Sequence, residues 1–326
     1  MSNERPLREI AHECGFKVGA AVDSDLLRND VSYRDALRYE FNALTPENAL
    51  KMGPLRPIRG TYDFADADAI VNFGRKHGMT IRGHTLVWHN QTPAWFQAWD
   101  YTDEQLRRFL RDHIHTVVGR YRSKIDTWDV VNEAVSDDGT MRETVWYDAM
   151  GERYIDRAFE WANEISPETD LYYNDYGADA VNKKSDAVYE LMERLLDRGV
   201  PIDGVGFQLH ALGDRPNPES VGENFRRFQD LGLDVQITEM DVAFPADDPP
   251  ENPLEKQAEY YGDIVRTCLA VDCNMLITWG VNDAGSWVRE FKDFASRYTV
   301  DPLLFDDHSN RKPAYRAVRD ALRRVK

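Results

Sequence analysis

Short runs of apolar and β-branched residues alternate along the chain with longer segments whose apolar residues recur every three or four positions. There are eight such runs: FKVGAAV from Phe16, EFNALT from Glu40, MTIRGHT from Met79, DTWDVVNE from Asp126, DLYYND from Asp170, IDGVGFQLH from Ile202, DVQITEMD from Asp234 and MLITWGVND from Met275. They are largely apolar rather than alternating, the pattern of parallel strands buried on both faces. Between and after them, the spacing predicts helices over 66–77, 102–121, 146–163, 182–198, 218–231, 255–269 and 314–325. The second of these opens on the cap-like TDEQ. Gly78, Gly199 and Gly232 stand where a helix hands over to a strand and a left-handed C-cap belongs. Eight strand–helix units in one chain predict an α/β fold, a single closed (β/α)8 TIM barrel over 1–326. Two doubly wound sheets would instead carry a Gly-rich phosphate loop after an early strand, and none is present.

Composition narrows the partners more than the fold. The 326 residues are 42 % hydrophobic, ample for a large core, and carry a formal charge of −17 from 40 Lys and Arg against 57 Asp and Glu. So acidic a surface repels nucleic-acid phosphates and anionic lipid, leaving a neutral molecule or polymer as the partner. No run approaches the roughly 18 apolar residues of a membrane span. The N-terminal MSNERPLREIAHECGF has no apolar h-region. It reads as a soluble cytoplasmic protein, or a secreted one if a leader has been trimmed. Three cysteines cannot form a disulfide framework. Cys268 and Cys273 are close enough for a local bridge in an oxidising compartment, but this N-terminus favours reduced thiols. Cys14 reads as a packed small hydrophobe.

In a barrel of this kind, active sites lie at the C-terminal strand ends, and here those ends are rich in polar and aromatic residues. The second run leads into Thr45, Pro46, Glu47 and Asn48, with Lys51 close behind; the third ends in His84, followed by Trp88, His89 and Gln91. Asn132 and Glu133 end the fourth, and Asn174, Asp175 and Tyr176 the fifth. Gln208 and His210 end the sixth, Glu239 and Asp241 the seventh; the eighth offers Trp279, Asn282, Asp283, Trp287 and Arg289. One acid at a strand end is more often a cap or loop ligand, and one Trp is more often core. Their clustering on one rim points to chemistry. Two strand-end glutamates among aromatic and amide groups suit glycosidic bond cleavage, which needs one carboxyl to give a proton and one carboxylate to attack. There is no HExxH or Cys-rich metal motif and no GxSxG elbow. His113 and His115, two apart on a helix, point apart and read as surface or packing residues.

The segments LTPENALK, GHTLVWHNQTPAW, WDVVNEAVSD, YNDYG, VGFQLH, ITEMDV and TWGVNDAGSW stand in an order and spacing that resembles glycoside hydrolase family 10, the endo-1,4-β-xylanases, from about Phe16 to the final helix. The resemblance implies a retaining endo-hydrolase of xylan and xylo-oligosaccharides, with Glu133 as acid/base and Glu239 as nucleophile. It further implies that Asn132 bonds the sugar 2-hydroxyl, that His210, fixed by Asp241, supports Glu239, and that Gln208 lies beside both glutamates. His84, Lys51 and Trp88 would line the −1 pocket, and Glu47, Asn48 and Gln91 would bond the −2 xylose. Trp279 and Trp287 would roof the glycone side, and Tyr176 would stack on the leaving-group side. The implied protein is a monomer without metal, cofactor or appended carbohydrate-binding module, and with no nucleic-acid or membrane partner. Met52 departs from the family's usual aromatic, and the Cys268–Cys273 spacing is one residue shorter than in bridged secreted relatives. The rival readings are a barrel glycosidase acting on another β-1,4-glycan and a non-catalytic sugar-binding protein.

Overall fold

The computed structural model describes residues 4–324. All eight apolar runs form strands: β1 (Lys17–Val22), β2 (Ala43–Pro46), β3 (Thr80–Val87), β4 (Thr127–Asn132), β5 (Asp170–Asp175), β6 (Gly204–Phe207), β8 (Asp234–Ala243) and β9 (Met275–Thr278). A short β7 (His210–Leu212) follows β6. Each strand pairs in parallel with its neighbours, β1 with both β2 and β9, and the β6–β8 pairing closes the ring. β7 continues the stave of β6 beyond a break at Leu209, whose φ is 57°, and sets His210 opposite Asp241 on β8. Burial on both faces explains the unbroken apolar runs: the ring's interior meets itself and its outside meets helices.

The barrel floor is not purely apolar. Fully buried Arg82 on β3 reaches across to Gln236 on β8 (Nε to Oε1, 2.8 Å) and forms a two-pronged pair with Asp129 on β4 (2.6 and 3.0 Å). Asp129 also meets His84 Nδ1 at 2.9 Å. A buried ion pair persists only when the surrounding hydrogen bonds are satisfied, and here the planar guanidinium fork finds three acceptors. This polar layer lies under the mouth and fixes the ring of His84.

All seven expected helices are present, with one correction. The helix expected over 146–163 is two, Val145–Met150 and Arg153–Ile165, because Gly151 between them adopts φ 60°. Apolar periodicity continues through a glycine that breaks the backbone, so the pattern alone misses the corner. Thr102 and Gln105 form the expected capping box, and Gly78, Gly199 and Gly232 have φ of 62°, 71° and 86°. The last helix is Pro313–Leu322; Val325, within its expected span, lies outside the described residues. Helices at Leu7–Glu13, Ser24–Asn29 and Val31–Glu40 were not among those expected, and two of them start from aspartate caps, Asp23 and Asp30. Met52 packs into the core, and Cys14, Cys268 and Cys273 are free thiols, the last two buried. His113 is buried against the ring of Tyr62 and burial pushes its pKa down to about 3, while His115 faces Glu164 at 3.2 Å. Among the described residues no helix is long and apolar enough to cross a membrane.

The seam of the barrel is tied by buried Glu40. Its Oε2 accepts from the Leu7 backbone N–H (2.9 Å) and the Tyr315 hydroxyl (2.8 Å), while Oε1 accepts from Arg311 (2.6 and 3.0 Å).

Candidate active site

The C-terminal strand ends open into one cleft of about 1160 Å³. Glu47, Asn48, Lys51, His84, Trp88, Gln91, Asn132, Glu133, Tyr176, Gln208, His210, Glu239, Trp279 and Trp287 all line it. Asp241 stands behind them, bonded to His210 and Trp287.

Glu133 is the first residue past β4 and has φ 59°, unusual for a residue with a Cβ. Its backbone N–H still donates to Asn174 O on β5 (2.8 Å). Its carboxyl is held by three neutral donors: Trp88 Nε1 to Oε2 (2.9 Å), and Gln208 Nε2 (3.0 Å) and Asn132 Nδ2 (3.2 Å) to Oε1. Glu239 lies on β8, almost fully buried. Asn174 Nδ2 donates to its Oε1 (2.8 Å) and His210 Nε2 to its Oε2 (3.3 Å), with His84 Nδ1 3.9 Å away. Burial alone would raise the pKa of Glu239. Attraction to His84, the hydrogen bond and charge of His210 and the ammonium of Lys51 outweigh it and hold the carboxyl below its ordinary value.

Two amides join the acids. Asn132 and Asn174 are directly opposite in the β4–β5 ladder, and Asn174 Nδ2 bonds both Asn132 Oδ1 (2.9 Å) and Glu239. Thr238 Oγ1 donates to Asn174 Oδ1 (2.7 Å), and Gln208 Nε2 also reaches Asn132 Oδ1 (3.2 Å). Gln208 also meets Glu239 through its backbone carbonyl, which accepts the Glu239 N–H (3.1 Å).

His210 sits between two carboxylates, Nδ1 at 3.1 Å from Asp241 Oδ1 and Nε2 toward Glu239. Burial lowers its pKa, but Asp241 and Glu239 raise it well above the ordinary histidine value, so both ring nitrogens donate. Trp287 Nε1 donates to Asp241 Oδ2 (2.6 Å) and fixes that carboxylate in turn.

Toward β2 and β3, Asn48 Oδ1 accepts from Lys51 Nζ (3.0 Å) and Gln91 Nε2 (3.2 Å). The Lys51 ammonium lies 4.9 Å from the Trp88 ring and 5.7 Å from that of Trp279. Burial lowers its pKa against the pull of Glu239, Glu47 and Glu133. Glu47 is pushed up by burial and by the charges of Asp23, Glu290 and Glu239, against Lys51. On the opposite wall, the Tyr176 hydroxyl donates to Asp137 Oδ1 (2.6 Å), and Lys184 Nζ lies 3.4 Å from the centre of the Tyr176 ring. Lys184 also pairs with Asp175 at 3.0 Å, although burial lifts the Asp175 pKa to about 6.

Three contributors had no role assigned from the sequence, although Asn174 and His89 stood on the strand-end rim. Asn174 stood at a strand end in the sequence, but its bridging role follows from ladder register. His89 lines the cleft with its Nδ1 buried and unpartnered. Arg142, nine residues past Glu133, returns to it with no motif to announce it. Among the described residues no group of three or more His, Cys, Asp or Glu is arranged to hold a metal. The cleft can therefore present one ionised, cation-supported carboxylate beside a second carboxyl held by neutral donors, between aromatic walls.

The family model described as Glycosyl hydrolase family 10 matches residues 6–321. The chain is 41 % identical over 325 residues to endo-1,4-beta-xylanase B of Thermotoga neapolitana, covering 98 % of this chain and 92 % of that protein. It is also 41 % identical to the beta-1,4-xylanase of Dictyoglomus thermophilum, covering 96 % and 90 %. Among solved structures, xylanase 10B from Thermotoga petrophila RKU-1 in complex with xylobiose superposes with a TM-score of 0.93 at 41 % identity, covering 99 % and 98 % of the two chains.

Proposed function

Because the chain belongs to glycosyl hydrolase family 10, we infer that its cleft hydrolyses internal β-1,4-xylosidic bonds of xylan and xylo-oligosaccharides with retention of configuration. Glu239 attacks the anomeric carbon while Glu133 gives its proton to the departing glycosidic oxygen, leaving a covalent glycosyl-enzyme. Glu133, now a carboxylate, takes a proton from water; the resulting hydroxide attacks the same carbon and releases Glu239.

One observation carries the assignment: the two acids have different hydrogen-bond partners. Cationic and donor groups at His210 and Lys51 favour charge on Glu239, as a nucleophile requires. The carboxyl oxygens of Glu133 accept instead from the uncharged groups Trp88, Gln208 and Asn132. Asn132, pinned by Asn174 and Gln208, is set to bond the sugar 2-hydroxyl. His84, Lys51 and Trp88 form the −1 pocket around it. Asn48, Gln91 and Glu47 offer polar atoms for the next xylose, with Trp279 and Trp287 as the roof and Tyr176 as the stacking face for the leaving group.

The test is a product profile. Xylan should release reducing sugar far faster than cellulose or glucomannan, and NMR of the first product should show the β-anomer. An α-anomer, or comparable rates on cellulose, overturns the reading. Glu239→Gln should lower kcat on xylan by at least about 10³-fold while calorimetry still detects xylo-oligosaccharide binding. Substantial residual turnover contradicts the nucleophile role.

A further inference from the structure

The backbone at Glu133 is strained, and something must hold it. A glutamate at φ 59° stands in the left-handed region that a residue with a Cβ disfavours. Its N–H is tied to β5, yet its carbonyl points out of the barrel ladder. The chain leaves Glu133, turns through a short antiparallel excursion bridged at Val135 and Met141, and returns so that Arg142 N–H donates to Ala134 O (2.8 Å). The guanidinium of Arg142 then closes the loop. Its Nε donates to Glu133 O (2.8 Å), and its Nη2 to Val135 O (3.2 Å) and the Tyr176 hydroxyl (3.1 Å). A planar fork with fixed donor directions suits three divergent acceptors, and a single ammonium cannot reproduce it.

We propose that Arg142 is a positioning residue for the acid/base, clamping the left-handed backbone of Glu133 to the Tyr176 wall so that the carboxyl stays aimed at the departing oxygen. The clamp acts on the one side of Glu133 that its carboxyl partners do not reach. Trp88, Gln208 and Asn132 hold the oxygens, whereas Arg142 holds the carbonyl behind them. Proton transfer falls steeply with misalignment, so loosening this carbonyl should cost the acid step and spare the nucleophilic one. The Arg142 charge also lies near Glu133, and the test must separate charge from geometry.

The inference rests on Glu133 being the acid/base. Arg142→Met, Arg142→Lys and, in parallel, Glu133→Ala are made in the full chain and assayed on phenyl and 2,4-dinitrophenyl β-xylobiosides. Dinitrophenolate leaves without a proton, whereas phenolate needs one. Both Arg142 variants should lose roughly tenfold to a hundredfold in kcat/KM on the phenyl glycoside and stay within about threefold on the dinitrophenyl one. An equal loss on both substrates reduces Arg142 to a structural staple and overturns the proposal. So does wild-type selectivity in Arg142→Lys, because charge alone would then suffice. If Arg142→Met does not fold, the Lys variant decides by the same ratio. Should Glu133→Ala itself lack the selective loss, the role of Glu133 falls, a result distinguishable from failure of the clamp.

Discussion

His210 turns one ring nitrogen to Glu239 and the other to Asp241, so its loss changes the charge felt by the nucleophile without touching the acid/base. In His210→Asn, Glu239 loses a hydrogen bond and a positive charge that hold its pKa down. The acid limb of kcat/KM should therefore move to higher pH, read from a pH–rate profile on xylotetraose; an unmoved limb denies His210 that influence. Stability follows the same pair. The raised His210 pKa contributes stability that is complete below the unfolded value, about 6.5, and is lost as pH rises through the folded value. The lowered Glu239 pKa contributes stability above the ordinary carboxylate range that is lost as pH falls through its folded value. Most residues read from strand ends reached the cleft or its backing, because a strand end in a closed barrel opens on the mouth; Asn282, Asp283 and Arg289 instead tie the segment after β9 to Ser309, Lys312 and Asp307. Arg142 and the Asn132–Asn174 bridge were not legible. They depend on which atoms a turn and a ladder bring together, which periodicity does not encode.

Among the elements, the strands were readable almost to their ends, since burial on both faces writes a continuous apolar run. What the runs hid is the register, and the glycines that permit it. Gly206 on β6 lies where an added Cβ would stand 2.3 Å from Asn174 Oδ1 and 2.7 Å from Thr238 Cγ2. Asn174 is the amide that holds Glu239, so Gly206→Ala should disturb the site through the sheet. A loss of about 1–3 kcal/mol in urea unfolding is expected, together with a drop in kcat; normal kcat in a destabilised variant would uncouple the two. The helices show the converse. The seven predicted helices are present, the glycine corner at Gly151 was smoothed over, and the aspartate-capped pair before β2 went unread although Val31–Glu40 buries Tyr33 and Leu37 one turn apart.

At the scale of the molecule, the barrel is a ring made from a line, and closure depends on pairing β1 with β9 and on the buried clasp at Glu40. Glu40→Ala leaves the Leu7 N–H and the Tyr315 hydroxyl without this acceptor, while Arg311 keeps Glu4, and should cost about 1–3 kcal/mol, measured by urea unfolding. A change under about 1 kcal/mol would mean the seam is held elsewhere. The eight-unit count and the acidic charge were both legible in the sequence; the clasp was not, because its partners are 33 to 275 positions apart. That separation has a consequence for a chain still on the ribosome. Glu133 and Glu239 are synthesised well before Arg311 and Tyr315, so a nascent polypeptide carries both acids on an unsealed sheet. Hydrolytic competence then arrives in one late event, when the helix Pro313–Leu322 docks, rather than growing as each strand emerges.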